Sequence, residues 1–121
     1  EGWGFEEVGY REGIRMIKSR ELSTNTVLCS NDRLAIGVLA AAYGEGLRVG
    51  RGGGCALRIA GHDDHPFSRF TCPPLTTVAQ DYASISDRSV ETLFDVIENG
   101  GPTEKRVDTL FEGKLVMRES A

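Results

Sequence analysis

The chain has 121 residues and a formal charge of −4, from 14 lysines and arginines against 18 aspartates and glutamates. That length is one domain's worth, and 40% hydrophobic with 26% charged residues is the composition of an ordinary globular protein. The acidic balance argues against the chain itself gripping nucleic acid, and no apolar run approaches the ~18 residues that a membrane span needs.

Residues 5–20 read as a helix. Tyr10, Ile14 and Ile17 share one stripe, Glu6 and Glu7 lie in the first turn, and Lys18 and Arg20 lie in the last, as a helix dipole favours. Thr24-Asn25 makes a break, and Thr26–Ser30 is a short strand. Asp32–Tyr43 is a second helix, with Leu34, Val38 and residues 39–42 along its buried side and Gly44 and Gly46 ending it. Gly50-Arg51-Gly52-Gly53-Gly54 reads as a loop. It precedes a strand and lacks a Gly-Lys-Ser/Thr ending, so it carries no phosphate-loop signature. Ala56–Gly61 is a strand, and His62–Pro74 is a long loop. Thr76–Gln80 is a strand rich in β-branched residues. Asp81–Glu98 is a helix carrying Ile85, Val90, Leu93, Phe94 and Ile97, stopped by Asn99-Gly100-Gly101-Pro102. Val107–Phe111 and Leu115–Met117 are expected as short terminal strands.

Strands separated by helices indicate an α/β, Rossmann-like fold, with a mostly parallel sheet flanked by helices. Ligands of such sheets bind at the carboxyl ends of strands. Three strands here end in polar groups: Ser30-Asn31-Asp32, His62-Asp63-Asp64 and Gln80-Asp81-Tyr82. Amides, a carboxylate and a nearby ring suit a neutral polyhydroxyl or heterocyclic ligand. Asn31 is also suited to cap the second helix. Trp3 and Phe5 either staple the first helix or line the crevice.

The chemistry points to binding. His62-Asp63-Asp64-His65 matches no standard zinc or calcium spacing, so no metal is expected. There is no GxSxG, no base is paired with Cys29 or Ser30, and no acid–base pair is evident, so the chain is read as not an enzyme and without a cofactor. Three cysteines with no CxxC suit a reducing, cytoplasmic setting. No leader-like start is present, and the opening Glu1-Gly2-Trp3, without an initiator Met, suggests a fragment or a processed product.

In this order and spacing, five segments resemble the lactose-repressor/galactose-repressor family of bacterial transcription regulators. They are TVLCSNDRLAIG (26–37), GLRV (46–49), GHDDHP (61–66), PPLTTVAQ (73–80) and VMRES (116–120). The resemblance implies the C-terminal part of an effector-binding domain with a periplasmic-binding-protein-like fold. Residues 1–75 would belong to its C-terminal lobe. Residues 76–106 would be the crossover strand and helix of the N-terminal lobe, and 107–121 the return segment. Asn31, Asp63, Gln80 and Tyr82 match effector-contacting positions, with Trp3 and Phe5 flanking the place of the family's aromatic contact. Ile36, Leu39, Ala40, Phe70 and Thr71 fall where the family forms its dimer. The helix at 81–98 would lose the cover of a missing lobe, leaving Ile85, Leu93, Phe94 and Ile97 unburied. The implied function is effector sensing and homodimerisation in a cytoplasmic regulator. Its small-molecule effector modulates operator DNA binding by an N-terminal domain outside this chain. A periplasmic sugar-binding protein of a transporter shares the fold and is the alternative.

Overall fold

The structure, a computed structural model, describes residues 4–101 and 108–121. The elements alternate as expected: α1 (Phe5–Ser19), β1 (Thr26–Leu28), α2 (Asp32–Gly44), β2 (Arg58–Ala60), a 3-10 turn at Ser68–Phe70, β3 (Thr77–Ala79), α3 (Tyr82–Glu98) and β4 (Lys114–Val116). β1 and β2 pair in parallel, Thr26 opposite Arg58 and Leu28 opposite Ala60. A parallel bridge from Ala60 to Thr76 carries the array toward β3, and β3 pairs with β4. The α/β reading therefore holds.

The chain forms two compact units. One runs up to Ala79 and includes Leu115–Ala121; the other is Gln80–Lys114. The core of the first unit is apolar and continuous: Cys29, Ala35, Val38, Leu39, Ala42, Leu57, Ile59 and Leu75 are all buried. α1 and α2 cross at backbone distance because glycines face each other. A Cβ on Gly37 would strike the carbonyl oxygen of Glu6 and the amide of Tyr10, and one on Gly9 would strike the carbonyl of Leu34. Gly13 meets Ala41 in the same seam.

α1 stops one residue earlier than its charge pattern predicts. Arg20 takes a left-handed conformation (φ 56°), and its N–H and that of Glu21 close on Ile17 and Met16, the geometry in which helices commonly end. β2 is shorter than its sequence pattern because the N–H groups of Ala56 and Leu57 both donate to the carbonyl of Arg48 instead of joining the ladder.

In the second unit, α3 is capped by Asp81, whose carboxylate accepts from Ser84 N at 3.1 Å, and it has no buried residue. Leu93, Phe94 and Ile97 are each more than half exposed. The strand expected at 107–111 is corrected. Val107 lies outside the described residues, and 108–111 hold no strand; Leu110 is 94% exposed. β-propensity alone does not hold a strand that lacks a ladder partner.

Candidate functional site

The site of the first unit starts from a buried carboxylate. Asp32, the first residue of α2, is 1% exposed. Its Oδ1 accepts from Thr77 Oγ1 at 2.6 Å and its Oδ2 from the His65 N–H at 2.7 Å, while its own N–H donates to the His62 carbonyl at 2.8 Å. One side chain thus ties the β1–α2 junction to the loop after β2 and to β3. Gly61 is obligatory beside it, because a Cβ there would overlap Oδ1.

The second tie is Arg118. Its Nη2 donates to Asp64 Oδ1 at 2.6 Å, and its Nη1 donates to Leu75 O at 2.8 Å and Ser68 Oγ at 3.0 Å. The guanidinium holds the Asp64 carboxyl below the usual carboxylate range, although partial burial opposes this. Ser120, fully buried, accepts from Thr76 N at 2.8 Å and donates to Ile59 O at 2.6 Å. The Thr76 hydroxyl accepts from Arg118 N and donates to Ala121 O.

These ties present Asn31 and Asp63 at the carboxyl ends of β1 and β2. Asn31 caps α2, its Oδ1 accepting from Leu34 N at 2.8 Å. The cap engages one lone pair of the amide oxygen and leaves Nδ2 as a further donor. Asp63 sits at φ 105°, a conformation rare for a side-chain-bearing residue, with its N–H donating to Val78 O. That turn sends the two neighbouring aspartates to different environments. Asp64 pairs inward with Arg118, while the Asp63 carboxylate is 38% exposed and lies 2.9 Å from His62 Nδ1.

Phe5 opens α1 at 51% exposure, with the Arg33 guanidinium over its ring at 5.4 Å. Arg33 also forks onto Glu6 at 2.6 and 2.8 Å, which lowers the Glu6 carboxyl and raises the Arg33 guanidinium. Phe5 therefore stands in the same unit as Asn31 and Asp63, and Trp3 lies outside the described residues. Gln80 and Tyr82 open the second unit, joined by Tyr82 N to Gln80 O at 3.0 Å, and Tyr82 is 52% exposed.

Of the residues expected at a dimer contact, Ile36, Leu39, Ala40 and Thr71 line one shallow groove of about 320 Å³ with Tyr43 and Cys72. Leu39 forms its buried floor, and Phe70 is 75% exposed. Among the described residues no group of three His, Cys, Asp or Glu could hold a metal, and no helix is long and apolar enough to cross a membrane.

Residue-type reasoning did not assign roles to Thr76, Thr77, Arg118 and Ser120. The signal was present, because each lies inside a motif. Asp32 is in SNDR, Asp64 in GHDD, the threonines in PPLTT, and Arg118 and Ser120 in VMRES. The fold joins these motifs, Thr77 bonding to Asp32, Arg118 to Asp64 and Thr76 to Ser120.

Residues 4–121 match the family model described as periplasmic binding protein-like domain. The ribose operon repressor of Haemophilus influenzae is 33% identical over 108 residues, covering 89% of this chain and 31% of that protein. The HTH-type transcriptional repressor PurR of Pasteurella multocida is 34% identical over 120 residues, covering 99% of this chain and 34% of that protein. The crystal structure of the Lac repressor dimer bound to operator and the anti-inducer ONPF superposes with a TM-score of 0.76 at 28% identity, covering 93% of this chain and 36% of that one. The chain thus spans about a third of the length of the curated relatives it matches.

Proposed function

Because the chain belongs to the periplasmic binding protein-like domain family, and within it to the lactose-repressor/galactose-repressor group, we propose that it is the effector-sensing and dimerising portion of a cytoplasmic bacterial transcription regulator. The first unit contributes the C-terminal lobe, with β3 and α3 leading into the other lobe. It binds a small polar effector, sugar-like or nucleobase-like, and performs no catalysis. The relatives found are transcription repressors, which weighs against a transport-linked binding protein.

One observation carries this reading: a closed network of buried polar side chains holds Asn31 Nδ2 and the Asp63 carboxylate at adjacent strand ends. A donor and an anionic acceptor at the ends of two paired strands suit a hydroxyl-rich or heterocyclic ligand. Phe5 supplies a further aromatic contact, with Trp3 two residues before it in sequence, and the family resemblance implies that Gln80 and Tyr82 are effector-contacting positions as well. The apolar groove of Ile36, Leu39, Ala40 and Thr71, with Phe70 exposed, is the dimer face. Effector binding acts by preferring one closure of the lobes, so its differential affinity sets operator affinity in the whole regulator.

The test is calorimetry of the full-length regulator against a panel of sugars and nucleobases, with operator affinity measured in parallel. Asp63→Ala should weaken the effector by about 1–3 kcal/mol through lost charge-assisted hydrogen bonds. An effector bound equally well by wild type and Asp63→Ala would overturn the assignment.

A further inference from the structure

The glycine-rich loop between α2 and β2 lies at the amino ends of the strands, the opposite end of the sheet from Asn31 and Asp63. It borders an open cleft of about 350 Å³ lined by Arg48, Gly50, Arg51, Gly52, Cys55 and Glu119, among others. We propose that this cleft is a second binding site, for the phosphate group of a small phosphorylated molecule.

Three observations support this. Arg48 and Arg51 both reach the cleft, and neither guanidinium has an ion-pair or hydrogen-bond partner among the described residues. In the rest of this acidic chain many cations are engaged: Arg33 by Glu6, Arg15 by Glu12 and Glu21, Arg118 by Asp64. The acid nearest in sequence to Arg48, Glu45, is taken by Lys18. Next, the loop backbone is available. The Cys55 N–H closes on Gly52 O and the Gly50 N–H on Leu57 O, but the N–H groups of Gly52, Gly53 and Gly54 donate to no described protein group. Of the three, Gly52 lines the cleft; nothing stands within 4 Å of where a Cβ on Gly53 would be, and Cys55 Sγ lies 3.9 Å from that of Gly52. Finally, the cations and the loop meet: Arg48 Nη1 lies 3.9 Å from the place a Cβ on Gly54 would take.

Consecutive backbone N–H groups in a glycine turn form an anion-binding concavity, and guanidinium forks match the oxygens of phosphate. Two such forks and a row of N–H groups offer more donors than a carboxylate can use, and they suit the doubly charged phosphate monoester. The loop is not a P-loop, because it precedes its strand and has no lysine. Glu119, which also lines the cleft, subtracts one charge from the two arginines and thereby disfavours polyphosphates.

The proposal is independent of the effector assignment and is tested on this chain by itself. Inorganic phosphate and glycerol 3-phosphate are titrated while amide NMR shifts are followed, with sulfate and chloride at equal ionic strength as comparators. The amides of 51–54 should shift in a saturable way with both phosphate probes, and more weakly with sulfate. Arg48→Gln/Arg51→Gln should weaken binding at least about tenfold, whereas Arg20→Gln/Arg58→Gln, equal in charge and outside the cleft, should leave it unchanged. Glu119→Gln should tighten it. Saturation by inorganic phosphate but not glycerol 3-phosphate would overturn the phosphorylated-molecule assignment. Shifts that match those from chloride, or that survive in a folded Arg48→Gln/Arg51→Gln variant, would overturn the site itself.

Discussion

Thr77 Oγ1 donates a 2.6 Å hydrogen bond to Asp32 Oδ1 across 45 residues of sequence, and both side chains are buried. The pair clamps the start of α2 to β3. Thr77→Val keeps the shape and removes the donor, leaving a buried carboxylate oxygen short of a partner. It should destabilise the protein by about 1–3 kcal/mol, read from urea unfolding midpoints. A change within ~0.5 kcal/mol, the range of ordinary surface substitutions, would show that water replaces the hydroxyl.

The helix crossing should be intolerant of a single methyl. Gly37→Ala forces Cβ onto the backbone of α1, and overpacking of this kind costs about 1–3 kcal/mol or more. Gly53→Ala, whose Cβ would meet nothing within 4 Å, should stay within ~0.5 kcal/mol by the same measurement.

Acid should release the C-terminal tail. Asp64 is held below the ordinary carboxylate range, chiefly by its hydrogen bond from Arg118. A carboxyl depressed by folding stabilises fully above its unfolded value, about 3.9, and that contribution is lost as pH falls through the folded value. The melting temperature should therefore drop below pH 4, and Asp64→Asn should flatten that part of the profile. At pH 6, Arg118→Met should cost about 1–3 kcal/mol, since Leu75 O and Asp64 lose their shared donor. An unchanged acid limb in Asp64→Asn would assign acid sensitivity to other carboxylates.

The three thiols should differ in reactivity. Burial, reinforced by the nearby Asp32 charge, pushes Cys29 up to about 11, and Cys72 is exposed. With a disulfide reagent at pH 8, and at a protein concentration low enough to leave the groove that Cys72 lines uncovered, Cys72 should react first and Cys29 only on unfolding, followed by mass spectrometry of the native protein. Rapid native labelling of Cys29 would mean that the core opens locally.

α3 presents Leu93, Phe94 and Ile97 to solvent and buries none of its residues. An apolar stripe of this kind drives association. Light scattering should show mass rising with concentration, and Leu93→Glu/Ile97→Glu should reduce it. A monomer at all concentrations in the wild-type chain would count against both this stripe and the groove at Ile36 as contact surfaces.

The helices, most of the strands and the order of the motifs were legible in the sequence, because helical periodicity, turn glycines and β-branched runs act over a few residues. The polar residues that follow β1, β2 and β3 were legible as strand ends too, since strand ends are marked by the break in apolar pattern. What only the tertiary structure decided is which polar residue does what. Asp63 and Asp64 are chemically identical neighbours, and their separation depends on two positive-φ residues and on Arg118, 54 positions from Asp64. Asn31 reads both as a strand-end ligand residue and as a helix cap, and the fold shows the cap made to Leu34 N. Arg48 reads as part of the GLRV segment and Arg51 as part of a glycine loop; that both line one cleft is decided by the fold. Burial and pairing are set by contacts between distant segments, and local pattern carries no record of which distant segment arrives.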